Sequence, residues 1–208
     1  MDWIVFFVFS RVEMHSRCMS TDEYATRGTL THHFPAPPRS CSAETVVIVG
    51  YGFLGKKIEL LAKALGMKVL IADRKGSRDL REGRVDFDIA IKRASVVIVT
   101  IAKTSETINL IDEREMCMMR KDVIVINVSR GGIVNEQALI SALHRGEIGG
   151  AATDEPPARN TSLLIENIPN LTVSTHLAWF SGQTIQNLQN LLIQGLDGYV
   201  KGYPINTV

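Results

Sequence analysis

Cysteine is scarce: Cys18, Cys41 and Cys117 are the only three in 208 residues. None stands at a pair spacing used for zinc or for a disulfide framework. So sparse and odd a set reads as reduced thiols in a cytoplasmic protein. Charge of one sign is missing too: the formal net charge is +1, so nothing points to a nucleic-acid surface. No membrane contact is expected. The only run that suggests targeting, Trp3 to Phe9, is too short to cross a bilayer, and Asp2 stands where a secretory leader carries positive charge. It reads as a strand or an apolar tail. His32 and His33 have no further ligand at useful spacing, so they read as a solvated loop and no metal is expected. There is no internal repeat of the solenoid kind. What remains, 45% apolar and 22% charged, is the composition of a soluble globular chain.

Residues 45 to 55, TVVIVGYGFLG, organise what is present. Val46 to Val49 form a short β-branched run suited to a strand buried on both faces of a parallel sheet. Gly50, Gly52 and Gly55 follow in the spacing G-x-G-x-x-G. In that pattern the first glycine allows a tight turn, the second lets backbone approach a pyrophosphate, and the third lets a helix pack close to the strand. A helix start adds free N–H groups and a positive dipole end. Ile58, Leu61, Ala62 and Leu65 recur at helical spacing, and Gly66 is a natural stop. A second strand, Lys68 to Ala72, ends in Asp73, close to the spacing of about 20 residues at which an acid accepts hydrogen bonds from ribose hydroxyls. The bland alternative is a glycine-rich turn without a ligand.

Strands and helices then alternate. Strands are expected at Val96 to Thr100, Val123 to Val128, Gly149 to Thr153 and Leu171 to Ser174. Helices are expected at Phe87 to Lys92, Thr104 to Ile111, Arg114 to Met119, after a cap at Asn135, and at Ser181 to Val200. Cys117 and the methionines of the fourth helix read as core filler. This alternation implies an α/β fold with a doubly wound parallel sheet. Residues 1 to 43, with three prolines and no sustained period, read as irregular. The chain divides into that remnant, a domain over 44–179, and a C-terminal helix and tail over 180–208.

Polar residues cluster just past strand ends, where ligands bind in this architecture. Arg130 follows the fourth strand, Asp154 and Glu155 the fifth, and His176 the sixth. An arginine fork suits a carboxylate, although position alone also allows a surface arginine.

Together, VGYGFLG, Asp73, INVSRGGIVNEQALISALHRGEIGGAATD, EPP and THLAW resemble the NAD-binding domain of D-isomer-specific 2-hydroxyacid dehydrogenases. The glycerate dehydrogenase or hydroxypyruvate reductase branch is the most similar. The likeness runs from about Thr45 to the C-terminus. It implies a Rossmann-type fold and reduction of a small 2-oxo acid by NADH, or the reverse oxidation. It places NAD against Gly50, Gly52, Phe53, Leu54, Gly55, Asp73, Arg74, Thr100, Val128, Ser129 and Asp154. Arg130 would bind the substrate carboxylate, His176 would donate the proton, and Glu155 would pair with the histidine, because a carboxylate beside an imidazole stabilises its charged form. Asp154 and Glu155 are adjacent here, where the family separates them by several residues. Residues 1 to 43 show no counterpart of the family's substrate domain or dimer arm. The alternatives are a non-catalytic NAD-binding or interaction module and a defective, truncated product.

Overall fold

The computed structural model describes residues 40–155, 168, 170–203 and 205. The Trp3 to Phe9 run, Cys18, the His32-His33 pair and Pro156-Pro157 lie outside the described residues.

The continuous β-branched runs become the middle of a parallel sheet. Its strands are β1 (Thr45–Val49), β2 (Lys68–Ala72), β3 (Val96–Val99), β4 (Ile124–Asn127), β5 (Gly150–Thr153) and β6 (Leu171–Val173), in the order β2-β1-β3-β4-β5-β6. Every ladder is parallel. β1 has a partner on each side, with Val47 opposite Leu70 of β2 and Val97 of β3. The strand order therefore reverses at β1 and β3, and a crevice opens at their carboxyl ends. Outside β2, a single bridge joins Ala72 to Val85.

Side chains alternate between the two faces of each strand, and this splits the core in two. Val46, Ile48, Val96 and Ile98 pack with Ile58 and Ala62 of helix α1 (Phe53–Ala64). Val47, Val49, Val97 and Val125 pack against the other helices: α2 (Phe87–Arg93), α3 (Glu113–Met118) and α4 (Glu136–His144). The expected punctuation is present. Gly66 takes φ +77° after α1, and Asn135 Oδ1 accepts the N–H groups of Gln137 and Ala138 at the start of α4.

Two expectations need correction. Thr104 to Ile111 is not a helix but a run of turns. The Thr107 hydroxyl closes the turn, accepting the Thr104 N–H at 2.7 Å and donating to the Ala102 carbonyl at 2.9 Å, while the Ile111 N–H, which a helix would direct to the Thr107 carbonyl, goes to the Ile133 carbonyl. Asn109 has φ +51° and donates its N–H to the Gly132 carbonyl. Cys117 is exposed, while Met116 and Met119 are buried as expected.

The start of α3 is a capping box in which the carboxylate of Asp112 and that of Glu115 each take a backbone N–H. Glu115 is fully buried. Its carboxylate also meets Arg114 Nη1 at 2.7 Å and Lys75 Nζ at 2.9 Å, which ties the loop after β2 to α3. Glu115→Ala is expected to cost about 2–4 kcal/mol of stability, at the lower end for a broken buried pair because both cations can turn to water. Urea unfolding measures this, and an unchanged midpoint would contradict the assigned role.

The last helix, α5 (Gly182–Val200), is capped by the Ser181 hydroxyl, which accepts the Thr184 N–H. It has no buried residue.

Candidate active site at the carboxyl ends of the strands

The turn from β1 to α1 is built around its glycines. Gly50 takes φ +96°, and a Cβ there would lie 2.8 Å from the Ile101 Cα. The Thr100 hydroxyl, at the end of β3, donates to the Gly50 carbonyl at 2.7 Å and closes the turn against the neighbouring strand. A Cβ on Gly55 would lie 2.5 Å from the Gly50 carbonyl oxygen, so α1 sits closer than any other residue allows. Gly52 differs: among the described residues, nothing lies within 4 Å of its Cβ position. It is also the residue before α1, whose first turn receives no side-chain cap. Open space in front of uncapped helix N–H groups is what a pyrophosphate needs. An open cleft of about 440 Å³ continues from there, lined by Leu54, Thr100, Ile101, Ala102, Lys103, Val128, Ser129 and Arg130. Phe53 stands exposed at the start of α1.

Asp73 is buried at the end of β2. Its Oδ1 accepts the Arg74 N–H at 2.7 Å and Arg81 Nε at 2.8 Å, and its Oδ2 accepts the Arg81 N–H at 2.7 Å. Arg81, in the polar segment between β2 and Val85, belongs to no motif and was not foreseen from the sequence. The guanidinium of Arg81, then its backbone N–H, hold the Asp73 carboxyl well below the usual carboxylate range, against the opposing effect of burial. The depressed value stabilises the fold fully above the ordinary carboxyl value of 3.8, and that contribution is lost as pH falls below it. Between about pH 6 and about pH 3, the urea midpoint of wild type is expected to fall further than that of Asp73→Asn. Parallel falls would show that this carboxylate is not linked to folding.

The other end of the cleft is assembled by Asn127, also missed as a working residue although it stands in the INVSRGG stretch. Its Oδ1 accepts the Ser129 N–H and its Nδ2 donates to the Arg130 carbonyl, both at 3.0 Å. Ser129 Oγ donates to the Val99 carbonyl at 2.8 Å, which pins the loop to β3. Lys103, the third unforeseen residue, donates from Nζ to the Gly131 carbonyl at 2.7 Å and adds a cation to the cleft wall.

The chain bends at Asp154 and Glu155, and the two acids do different things. The Asp154 carboxylate accepts the N–H groups of Leu177 at 2.9 Å and Ala178 at 2.7 Å and the hydroxyl of Ser174. Its carbonyl accepts the His176 N–H at 2.7 Å. Asp154 therefore holds the loop that carries His176, a residue kept at φ +56°, where non-glycine residues are uncommon. Glu155 Oε1 lies 2.7 Å from His176 Nδ1 and 3.3 Å from Arg130 Nη1. The histidine contact is close without the alignment of a hydrogen bond, and among the described residues the buried Nδ1 has no hydrogen-bond partner. Arg130 also donates to the Ser129 carbonyl at 2.6 Å. The side chains of Arg130 and His176 remain 60% and 41% exposed.

The structure thus brings Arg130, Glu155 and His176 into one cluster. It places Gly50, Gly52, Leu54, Gly55, Thr100, Val128 and Ser129 around the glycine turn and cleft, and Asp73 with Arg74 at the end of β2. Asp154 joins the cluster but directs its carboxylate at the 174–178 loop.

A glycine cradle at a strand-order reversal, with an acid closing the next strand, marks a dinucleotide-binding domain. Its relationships narrow the class. The chain belongs to the family described as D-isomer specific 2-hydroxyacid dehydrogenase, NAD binding domain, which matches residues 9–178. NAD is the cofactor of these domains. The match begins well upstream of Thr45, in a stretch whose lack of period or motif hid the likeness. Glycerate dehydrogenase of Methylorubrum extorquens is 37% identical over 180 residues, which cover 85% of this chain and 56% of that enzyme. A putative 2-hydroxyacid dehydrogenase of Haemophilus influenzae is 34% identical over 175 residues, 81% of this chain and 56% of that protein. The chain spans about half the length of these curated relatives. Among solved structures, the NAD-complexed D-isomer specific 2-hydroxyacid dehydrogenase of Lactobacillus delbrueckii ssp. bulgaricus superposes with a TM-score of 0.82 at 23% identity, over 99% of this chain and 68% of that one. That likeness speaks to the fold. No helix among the described residues is long and apolar enough to cross a membrane.

Proposed function

We propose that this chain carries the cofactor site and the acid–base group of an NAD-dependent reductase of small 2-oxo acids such as hydroxypyruvate or glyoxylate. The observation that carries the reading is the cluster in which one Glu155 oxygen faces both His176 Nδ1 and Arg130 Nη1. Bound NADH supplies the hydride. Arg130 holds the substrate carboxylate through its planar fork. His176, facing Glu155, gives its proton to the carbonyl oxygen as negative charge develops there. Asp154 positions that histidine through the loop backbone. The family name and the glycerate dehydrogenase relative support this substrate class.

The test is NADH oxidation by the purified chain with hydroxypyruvate or glyoxylate. A second reading, nucleotide binding without efficient turnover, is favoured by the solvent exposure of Arg130 and His176, since water competes for groups that must act on substrate. NADH binding without turnover would select it. We also propose that the protein works in the cytoplasm, which the free thiols of Cys41 and Cys117 support.

A further inference from the structure

We propose that Arg81 converts the acid-marked ribose subsite at the end of β2 into one that accepts the 2′-phosphate of NADP(H) as well as the free 2′-hydroxyl of NAD(H). The proposal rests on the cofactor reading above and concerns the far end of the nucleotide from the reacting cluster.

An acid at this position ordinarily receives the ribose hydroxyls and repels a 2′-phosphate. Asp73 is placed to do so, but its carboxylate is covered by Arg81 and the loop that carries it. Oδ1 accepts from the Arg74 N–H and from both Nε and Nη2 of Arg81, and Oδ2 accepts from the Arg81 N–H. Three of these four donors converge on Oδ1 and one meets Oδ2, and with Arg81 in place the Asp73 side chain is only 1% exposed. A ribose hydroxyl gains a hydrogen bond from Asp73 only by moving the guanidinium aside. A 2′-phosphate needs no such displacement. The negative charge that would repel it is neutralised at contact distance by Arg81.

Arg81 also has donors to spare. A guanidinium carries five N–H groups in a rigid fork suited to phosphate, and the Arg81 side chain is 54% exposed. Its surroundings favour an anion. The segment from Asp73 to Arg84 holds the cations Arg74, Lys75, Arg78, Arg81 and Arg84 against the acids Asp73, Asp79 and Glu82. Two of those cations have other work: Lys75 pairs with Glu115, and Arg84 lies over the Tyr51 ring at 4.4 Å. Arg74 is exposed beside the site.

The experiment is a fluorescence titration of the purified chain with NADH and with NADPH, repeated for Arg81→Ala and Arg81→Gln. Calorimetry with ADP-ribose and 2′-phospho-ADP-ribose then isolates the subsite from the nicotinamide end. Wild type is expected to prefer NADH by no more than about tenfold, and each variant to widen the preference by roughly a further tenfold or more, the size of one lost charge-assisted contact. The widening should come from weaker NADPH binding, with NADH binding unchanged or tighter because Asp73 is uncovered. Arg81→Gln keeps a donor for the buried carboxylate, so the comparison survives if Arg81→Ala fails to fold. A wild-type preference well beyond about tenfold, or a preference that folded Arg81→Gln leaves unchanged, overturns the proposal while NADH still binds. Failure of wild type to bind either nucleotide refutes the cofactor reading and the proposal with it.

Discussion

His176→Ala is expected to lower 2-oxo acid turnover by about 10²–10⁴-fold, the usual contribution of a positioned general acid, while NADH binding stays close to wild type. Arg130→Ala is expected to lower turnover by a similar order and to raise KM, because it removes the charge that orients the substrate carboxylate and steadies the developing oxyanion. The separation of binding from turnover follows from the layout. The glycine turn and Asp73 lie at β1 and β2, whereas His176 lies past β6 at the opposite edge of the sheet. Steady-state NADH oxidation reports turnover, and nucleotide fluorescence reports binding. Wild-type rates in either variant would refute the assigned roles. Loss of NADH binding together with turnover would show that the variant acts on the fold instead.

The second large effect concerns α5. Ile185, Leu188, Leu192 and Leu196 recur along one face of it, and all are exposed. The helix carries a single charged residue, Asp197, to keep that face in water. Burying one such side chain is worth about 1.5–3 kcal/mol, so several together exert a strong drive to associate. The purified chain is expected to self-associate or aggregate, and Leu188→Glu with Leu192→Glu to yield a smaller, monodisperse species by light scattering. A monodisperse wild-type monomer would show that the face is covered.

Much of this architecture is legible in the chain because parallel strands buried on both faces are continuous β-branched runs. Val46 to Val49 and Val96 to Val99 announce themselves, as do the caps at Asn135 and Gly66. Thr104 to Ile111 is misread because the pull on its backbone is non-local: Asn109 and Ile111 donate their N–H groups to the Gly132 and Ile133 carbonyls of a distant segment. In the site, residues that stand just past strand ends are visible by position. What the sequence hides is who holds them. Arg81 reaches Asp73 across a loop, Asn127 braces Arg130 by a hydrogen bond from its side-chain amide to the Arg130 carbonyl, and Asp154 spends its carboxylate on the backbone of another loop. Those pairings depend on turn geometry, which no periodicity encodes.

The all-parallel ladder also governs how this protein comes into being. Parallel neighbours cannot be joined by a tight hairpin, so no strand pair here can zip up locally. β1, next to the edge strand β2, needs β3 on its other flank, and Val46 meets Val96 only after both crossovers have been made. At about 5–20 residues per second on the ribosome, that leaves a sticky strand edge uncovered for a time on the order of seconds. Slow, non-local closure of this kind makes the nascent chain a natural client for chaperones.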